Sequence, residues 1–112
     1  MYTQTSAVSV HMKDGIMRCI ISGDIDHHSA RTIRTQIDEA MLTKRPSRLE
    51  LDLSQVEFMD SSGLGLILGR FKCAAENGTD FVLLSPSEGV TRILDLAGIG
   101  RLIRIERSKN AK

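Results

Sequence analysis

The chain has 112 residues, enough for one domain around one core. Hydrophobic residues make up 41% and charged residues 26%, ordinary values for a globular protein, and a net charge of +1 gives no general electrostatic case for nucleic acid or an anionic membrane. No apolar run reaches the roughly 18 residues of a membrane span, the N-terminus is too polar for a signal peptide, and Cys19 and Cys73 lack metal or redox spacing, so the expectation is a reduced, cytoplasmic protein.

Taken in order, Val8 to Met12 alternates as a strand and Lys13-Asp14-Gly15 supplies hairpin turn chemistry. Ile16 to Ile21 is the returning strand. After the polar turn Ser22 to Asp26, Asp26 is placed to cap a helix from about His27 to Thr43, with Ala30, Ile33, Ile37, Ala40 and Met41 as its buried stripe and Pro46 barring its continuation. Leu49-Glu50-Leu51-Asp52-Leu53 is a strand of strict apolar/acidic alternation. A second helix begins at the serines of Asp60-Ser61-Ser62-Gly63 and stops near Asn77-Gly78. Phe81 to Leu84 is the next strand. Ser85-Pro86-Ser87-Glu88 then reads as a capping box with proline at the first helical position, opening a helix built on Val90, Ile93, Leu94 and Ala97 and closed by Gly98. Leu102 to Ile105 is a short last strand, and the polar residues 106–112 are expected to fray.

The order β-β-α-β-α-β-α-β predicts an α/β fold: a mostly parallel sheet of about five strands with an antiparallel hairpin at its start. A parallel strand covered on both sides should be continuously apolar, and Leu49 to Leu53 is not. The helices are therefore expected mainly on one face, within a single domain spanning residues 1–112.

The serine helix carries the unusual chemistry. Leu64, Ile67, Leu68, Phe71 and Ala75 have the spacing of a buried stripe, which turns Ser62, Gly65, Leu66, Gly69 and Cys73 outward on a side with no charge until Glu76. Each interior glycine costs about 1 kcal/mol relative to alanine, so a small, smooth surface must be favoured there, for a partner or for another part of the chain. The serines stand at a helix N-terminus, where free N–H groups and a positive dipole end favour an added phosphate. Read locally, either serine is an N-cap or a phosphoacceptor, and the pattern does not distinguish Ser61 from Ser62.

Other candidates are weaker. Adjacent His27 and His28 point about 100° apart on a helix and make a poor metal pair. Gly63-Leu64-Gly65 echoes a dinucleotide loop, but the remaining glycine is misplaced and no P-loop lysine follows. Ser62 is not in a nucleophile elbow, since Asp60 stands where the first glycine belongs. Asp24, Asp26 and Asp60 are expected to converge near the serines at one sheet edge, with capping as the plain role of Asp26.

The turn Gly23-Asp24-Ile25-Asp26-His27-His28, with the segment Phe58 to Gly65 continuing through Gly69-Arg70-Phe71-Lys72, resembles the anti-sigma factor antagonists, single-domain bacterial members of the STAS fold. The resemblance runs from about Val8 to Ile105, and the Asp-His-His turn points to the sporulation branch that acts on the anti-sigma-F factor. One departure is visible: the chain ends soon after the last strand, where relatives usually carry a further helix. The resemblance implies a partner switch. The unphosphorylated protein binds an anti-sigma factor that is also a serine kinase, and so frees the sigma factor. Phosphorylation on Ser61 separates the pair, and a PP2C-type phosphatase reverses it. Together with the outward face of Gly65, Leu66 and Gly69, the residues Asp26, Asp60, Ser62 and Gly63 are the expected partner-binding residues. No catalytic residue, metal or cofactor is implied, and no direct contact with nucleic acid or membrane. The competing readings are a small nucleotide-binding or phosphotransfer enzyme and a subunit of a larger stress-signalling assembly.

Overall fold

A computed structural model describes residues 7–107. Its elements follow the expected order: β1 (Ala7–Lys13), β2 (Ile16–Ser22), α1 (His27–Lys44), β3 (Arg48–Gln55), α2 (Ser61–Glu76), β4 (Asp80–Leu84), α3 (Glu88–Ala97), a 3-10 turn (Ile99–Arg101) and β5 (Arg104–Glu106). The hairpin turn is made by Asp14 and Gly15, both at positive φ (53° and 81°), the conformation that two-residue hairpins require and glycine adopts freely. α1 ends where Arg45 turns left-handed (φ 47°), just ahead of the buried Pro46.

The boundaries of α3 and of β5 differ from expectation. The cap of α3 is Ser87, not Ser85: the Ser87 hydroxyl accepts from the Val90 N–H at 3.3 Å and donates to the Val56 carbonyl at 2.8 Å. Ser85 is held back in the sheet region by its N–H, which donates to the Glu106 carbonyl at 2.7 Å. That same bond places Glu106 in β5, so the expected fraying does not begin there; residues 108–112 lie outside the described residues. Leu102 and Ile103 precede β5, because the 3-10 turn takes up the chain.

The strands lie side by side in sequence order, with β1–β2 antiparallel and the rest parallel. Every crossover steps in the same direction, and right-handed crossovers stepping one way deliver their helices to one face. That face holds the core. Met17, Cys19 and Ile21 of β2, Leu49, Leu51 and Leu53 of β3, Leu83 of β4, Ile33 and Ile37 of α1, Ile67 of α2 and Val90 and Leu94 of α3 are all essentially inaccessible within one cluster. Burial of each large aliphatic side chain contributes about 1.5–3 kcal/mol. It also pushes the Cys19 thiol up to about 12, so this cysteine stays protonated.

Among the described residues, the opposite face carries charge instead of helices. Glu50 accepts from Arg18 Nε at 3.1 Å and from Arg48 Nε at 2.9 Å, and Arg48 reaches Glu106 at 3.2 Å. Arg104 bonds Asp80 at 3.0 Å and lies 3.6 Å from Glu106. Val82, in register between Glu50 and Arg104, is fully buried beneath this ladder. The long side chains cover apolar surface with their stems while their charged ends pair. The alternation of Leu49 to Leu53 is thus a sequence with hydrocarbon core on one side and ion pairs on the other.

Candidate functional site

The site is assembled where two turns meet. Ile25 and Met59, both buried, form an isolated parallel bridge just beyond β2 and β3. The Ile25 N–H donates to the Phe58 carbonyl at 3.0 Å, and the Asp60 N–H donates to the Ile25 carbonyl at 3.2 Å. The next residue after each bridged partner is a helix cap. Asp26 accepts from the N–H groups of His28 (3.0 Å) and Ser29 (2.9 Å), and Ser29 Oγ accepts from the Asp26 N–H at 3.0 Å. The bond from the Ser29 backbone, ahead of smaller contributions, holds the Asp26 carboxyl below its usual range. Asp60 accepts from the Ser62 N–H at 2.8 Å and caps α2.

Because Asp60 is the cap, neither serine fills that role. Ser61 is the first residue of α2 and is exposed; Ser62 is half-buried. From Ser61 the exposed line of the helix runs through Gly65 and Leu68 to Lys72, with Gly69 beside it. A Cβ built on Gly65 or Gly69 would meet nothing within 4 Å, so these glycines do not make room for packing inside the domain. Phe58, 52% exposed, adds an apolar side chain next to the turn. The result is a smooth, uncharged surface from Ser61 to Gly69, bounded by Lys72. The N-terminal end of α2 favours negative charge on a group added there.

Comparison with known proteins identifies the frame. The model of the STAS domain matches residues 7–111. The chain belongs to the STAS-domain family. Among similar proteins, the anti-sigma F factor antagonist of Paenibacillus polymyxa is 36% identical over 91 residues, which cover 81% of this chain and 78% of that protein. The solved structure of the anti-sigma factor antagonist SpoIIAA in its unphosphorylated form superposes with a TM-score of 0.79 at 27% identity, covering 93% of this chain and 90% of the other. The phosphorylated form of the Bacillus cell-fate determinant SpoIIAA superposes with a TM-score of 0.73 at 26% identity, covering 93% of both chains.

Within this STAS domain the expected site residues separate into three groups. Asp26, Asp60, Ser61, Ser62, Gly65 and Gly69 gather around the paired turns and the start of α2. Gly63 does not lie on the surface. It is buried, and a Cβ there would stand 2.6 Å from Met59 Cβ and 2.8 Å from its sulfur, so the glycine lets the turn close on its own helix. Leu66 is also turned inward, 4% exposed, contrary to the expected outward face. The buried stripe is Gly63, Leu66, Ile67, Arg70 and Ala74, while Leu68, expected inside, is 39% exposed and Ala75 is exposed. Apolar residues on three sides of α2 allow either rotation by spacing alone. Packing against α1 decides it: Leu66 helps floor the groove between the two helices, and buried Arg70 Nε reaches Asp38 Oδ1 of α1 at 2.9 Å. Asp24 lines a separate hollow with Gly23, Gln55 and Glu57.

His27 and His28 stand edge to face with ring centroids 5.7 Å apart. Among the described residues, no three His, Cys, Asp or Glu side chains group as a metal site, and no helix is long and apolar enough to cross a membrane. Sequence reasoning passed over Arg31 and Arg34, which line the α1–α2 groove with His27, Ala30, Ser62, Gly65 and Leu66. Their signal was the spacing 27, 31 and 34, one face of the first helix.

Proposed function

We propose that this STAS domain is an anti-sigma factor antagonist. Its unphosphorylated form binds an anti-sigma factor that is also a serine kinase, and so releases the sigma factor; Ser61 accepts phosphate from the kinase, the complex separates, and a PP2C-type phosphatase restores binding. The protein acts as ligand and substrate rather than as a catalyst. The observation that carries this reading is the division of labour at α2: Asp60 caps the helix, leaving Ser61 exposed at the edge of an uncharged surface. The similarity to named antagonists, one of them solved in both phosphorylation states, supports the same reading.

The physical logic of the switch is local. A phosphate adds about −1.5 to −2 charge beside Asp60 and a surface without charge of its own. At the N-terminus of α2 that charge is tolerated by the domain, while at an interface it brings repulsion and a desolvation cost. The test is affinity capture from the native cytoplasm with wild-type and Ser61→Ala chains as bait, followed by phosphosite mapping. Recovery of an anti-sigma factor on both baits, with phosphate on Ser61 confined to unbound wild-type protein, is expected. Failure of the Ser61→Ala bait to retain an anti-sigma factor would overturn the proposal.

A further inference from the structure

The arginines of the sheet and of α2 are engaged in ion pairs: Arg18 and Arg48 with Glu50, Arg104 with Asp80, and Arg70 with Asp38. Arg31 and Arg34 are different. Both are exposed on α1, and among the described residues neither forms an ion pair. With His27 they form one wall of a groove of about 390 Å³. Ser62 and Gly65 of α2 form the other wall, Leu66 contributes to the floor, and no acidic side chain lines it. The N-termini of α1 and α2 are brought side by side at one end by the Ile25–Met59 bridge, where the Asp26 and Asp60 caps offset their dipoles, so the positive charge of the groove is that of Arg31 and Arg34.

We propose that this groove receives an acidic side chain or short acidic segment of the anti-sigma factor, an assignment that rests on the function proposed above. Three features favour a protein carboxylate as the occupant. The guanidinium fork matches carboxylate geometry, and two unpaired forks one turn apart repel each other until an anion lies between them. The groove is bounded by two helices, open to solvent, and has room for a few side chains, not for a nucleic-acid duplex. It is continuous with the Ser61 surface through Gly65, which borders both, so a partner seated on that surface has the groove within reach. Charge placed at the rim of an interface acts mainly on association rate and partner choice.

The experiment titrates the anti-sigma factor retained by the wild-type chain against wild type, Arg31→Glu, Arg34→Glu, the double Arg31→Gln/Arg34→Gln variant and Arg101→Glu, at low and physiological ionic strength. Arg101 is exposed on the 3-10 turn, so its reversal repeats the change in net charge away from the groove. The expected result is that each groove reversal weakens Kd about tenfold or more, chiefly through a slower on-rate, and that the double variant flattens the salt dependence. Arg101→Glu should stay near wild type, and the melting temperatures of all variants should match. Equal Kd and equal salt slope for the double variant would overturn the groove assignment while leaving the antagonist reading in place. So would an equal loss in Arg101→Glu, which would mean a bulk-charge effect. If wild type itself fails to bind, both readings fall.

Discussion

Ile25 and Asp60 share a backbone hydrogen bond of 3.2 Å, and it sets two helix N-termini side by side. The bond lies beyond the regular sheet, where the isolated Ile25–Met59 bridge extends the parallel pairing into the two turns. It makes Asp26 and Asp60 neighbouring caps and leaves the first exposed residue of α2, Ser61, at the rim where α1 and α2 both begin.

That arrangement separates the two serines. Ser61 is exposed, whereas Ser62 is half-buried in the groove wall. With the cognate kinase and ATP, Ser61→Ala is expected to abolish phosphate incorporation and Ser62→Ala to retain it, measured by phosphopeptide mapping. Phosphate on Ser62 of the wild-type chain would reverse the assignment.

An acidic side chain at the same position tests charge without the kinase. Ser61→Asp should weaken binding to the anti-sigma factor by up to several kcal/mol, the scale of like-charge contact at an interface. Its melting temperature should barely change, since an acid in the first helical turn is locally favourable. Unchanged affinity in a calorimetric titration would mean that phosphate works by rearranging the turn.

Two glycines of α2 should respond in opposite directions. At Gly63 a methyl group meets Met59 Cβ at 2.6 Å, so Gly63→Ala is expected to cost about 1–3 kcal/mol and to shift the start of the helix. At Gly69 nothing lies within 4 Å, so Gly69→Ala should stabilise the free domain by roughly 0.5–1 kcal/mol through helix propensity. Thermal melts of the two variants check both signs.

The rotation of α2 yields a third contrast. Leu66 is buried, so Leu66→Ala should cost about 2–5 kcal/mol, and a glutamate there should prevent stable folding. Leu68 is 39% exposed on the Ser61 side. Leu68→Glu should change stability by about 0.5 kcal/mol or less yet reduce partner binding at least about tenfold. Denaturant titration and binding on the same preparations separate the two effects; full affinity in Leu68→Glu would remove this surface from the interface.

The Asp26 cap carries a pH dependence of definite sign. Its carboxyl is held below the ordinary value of 3.8, chiefly by the Ser29 N–H, so its contribution is present above pH 3.8 and disappears as pH falls through the lowered native value. The gap in melting temperature between wild type and Asp26→Ala should therefore be constant from neutral pH down to about 5 and narrow below 3.8. A gap that persists undiminished at lower pH would assign the cap's effect to something other than the charged carboxylate.

What was legible in the chain alone follows from short-range chemistry. Element order, the Asp14-Gly15 turn, the Asp26 cap and the one-sided helix layer were all readable, because capping groups, turn residues and strand alternation act within a few residues. The single-faced layer was legible for the same reason: Glu50 and Asp52 declare a charged side to β3 wherever it lies. The rotation of α2 was not legible. Its apolar residues cover three sides, so spacing admits two stripes, and only contact with α1, through Leu66 and the Arg70–Asp38 pair, selects between them. The cap of α3 was likewise decided at long range, where the Val56 carbonyl takes the Ser87 hydroxyl and Glu106 holds Ser85. The meeting of the Asp26 and Asp60 turns was legible in the order of parallel strands, whose following turns open at one edge; the Ile25–Met59 bridge that joins them was not. The groove of Arg31 and Arg34 was decided by tertiary structure alone: its two walls come from α1 and α2, and no local pattern encodes their meeting.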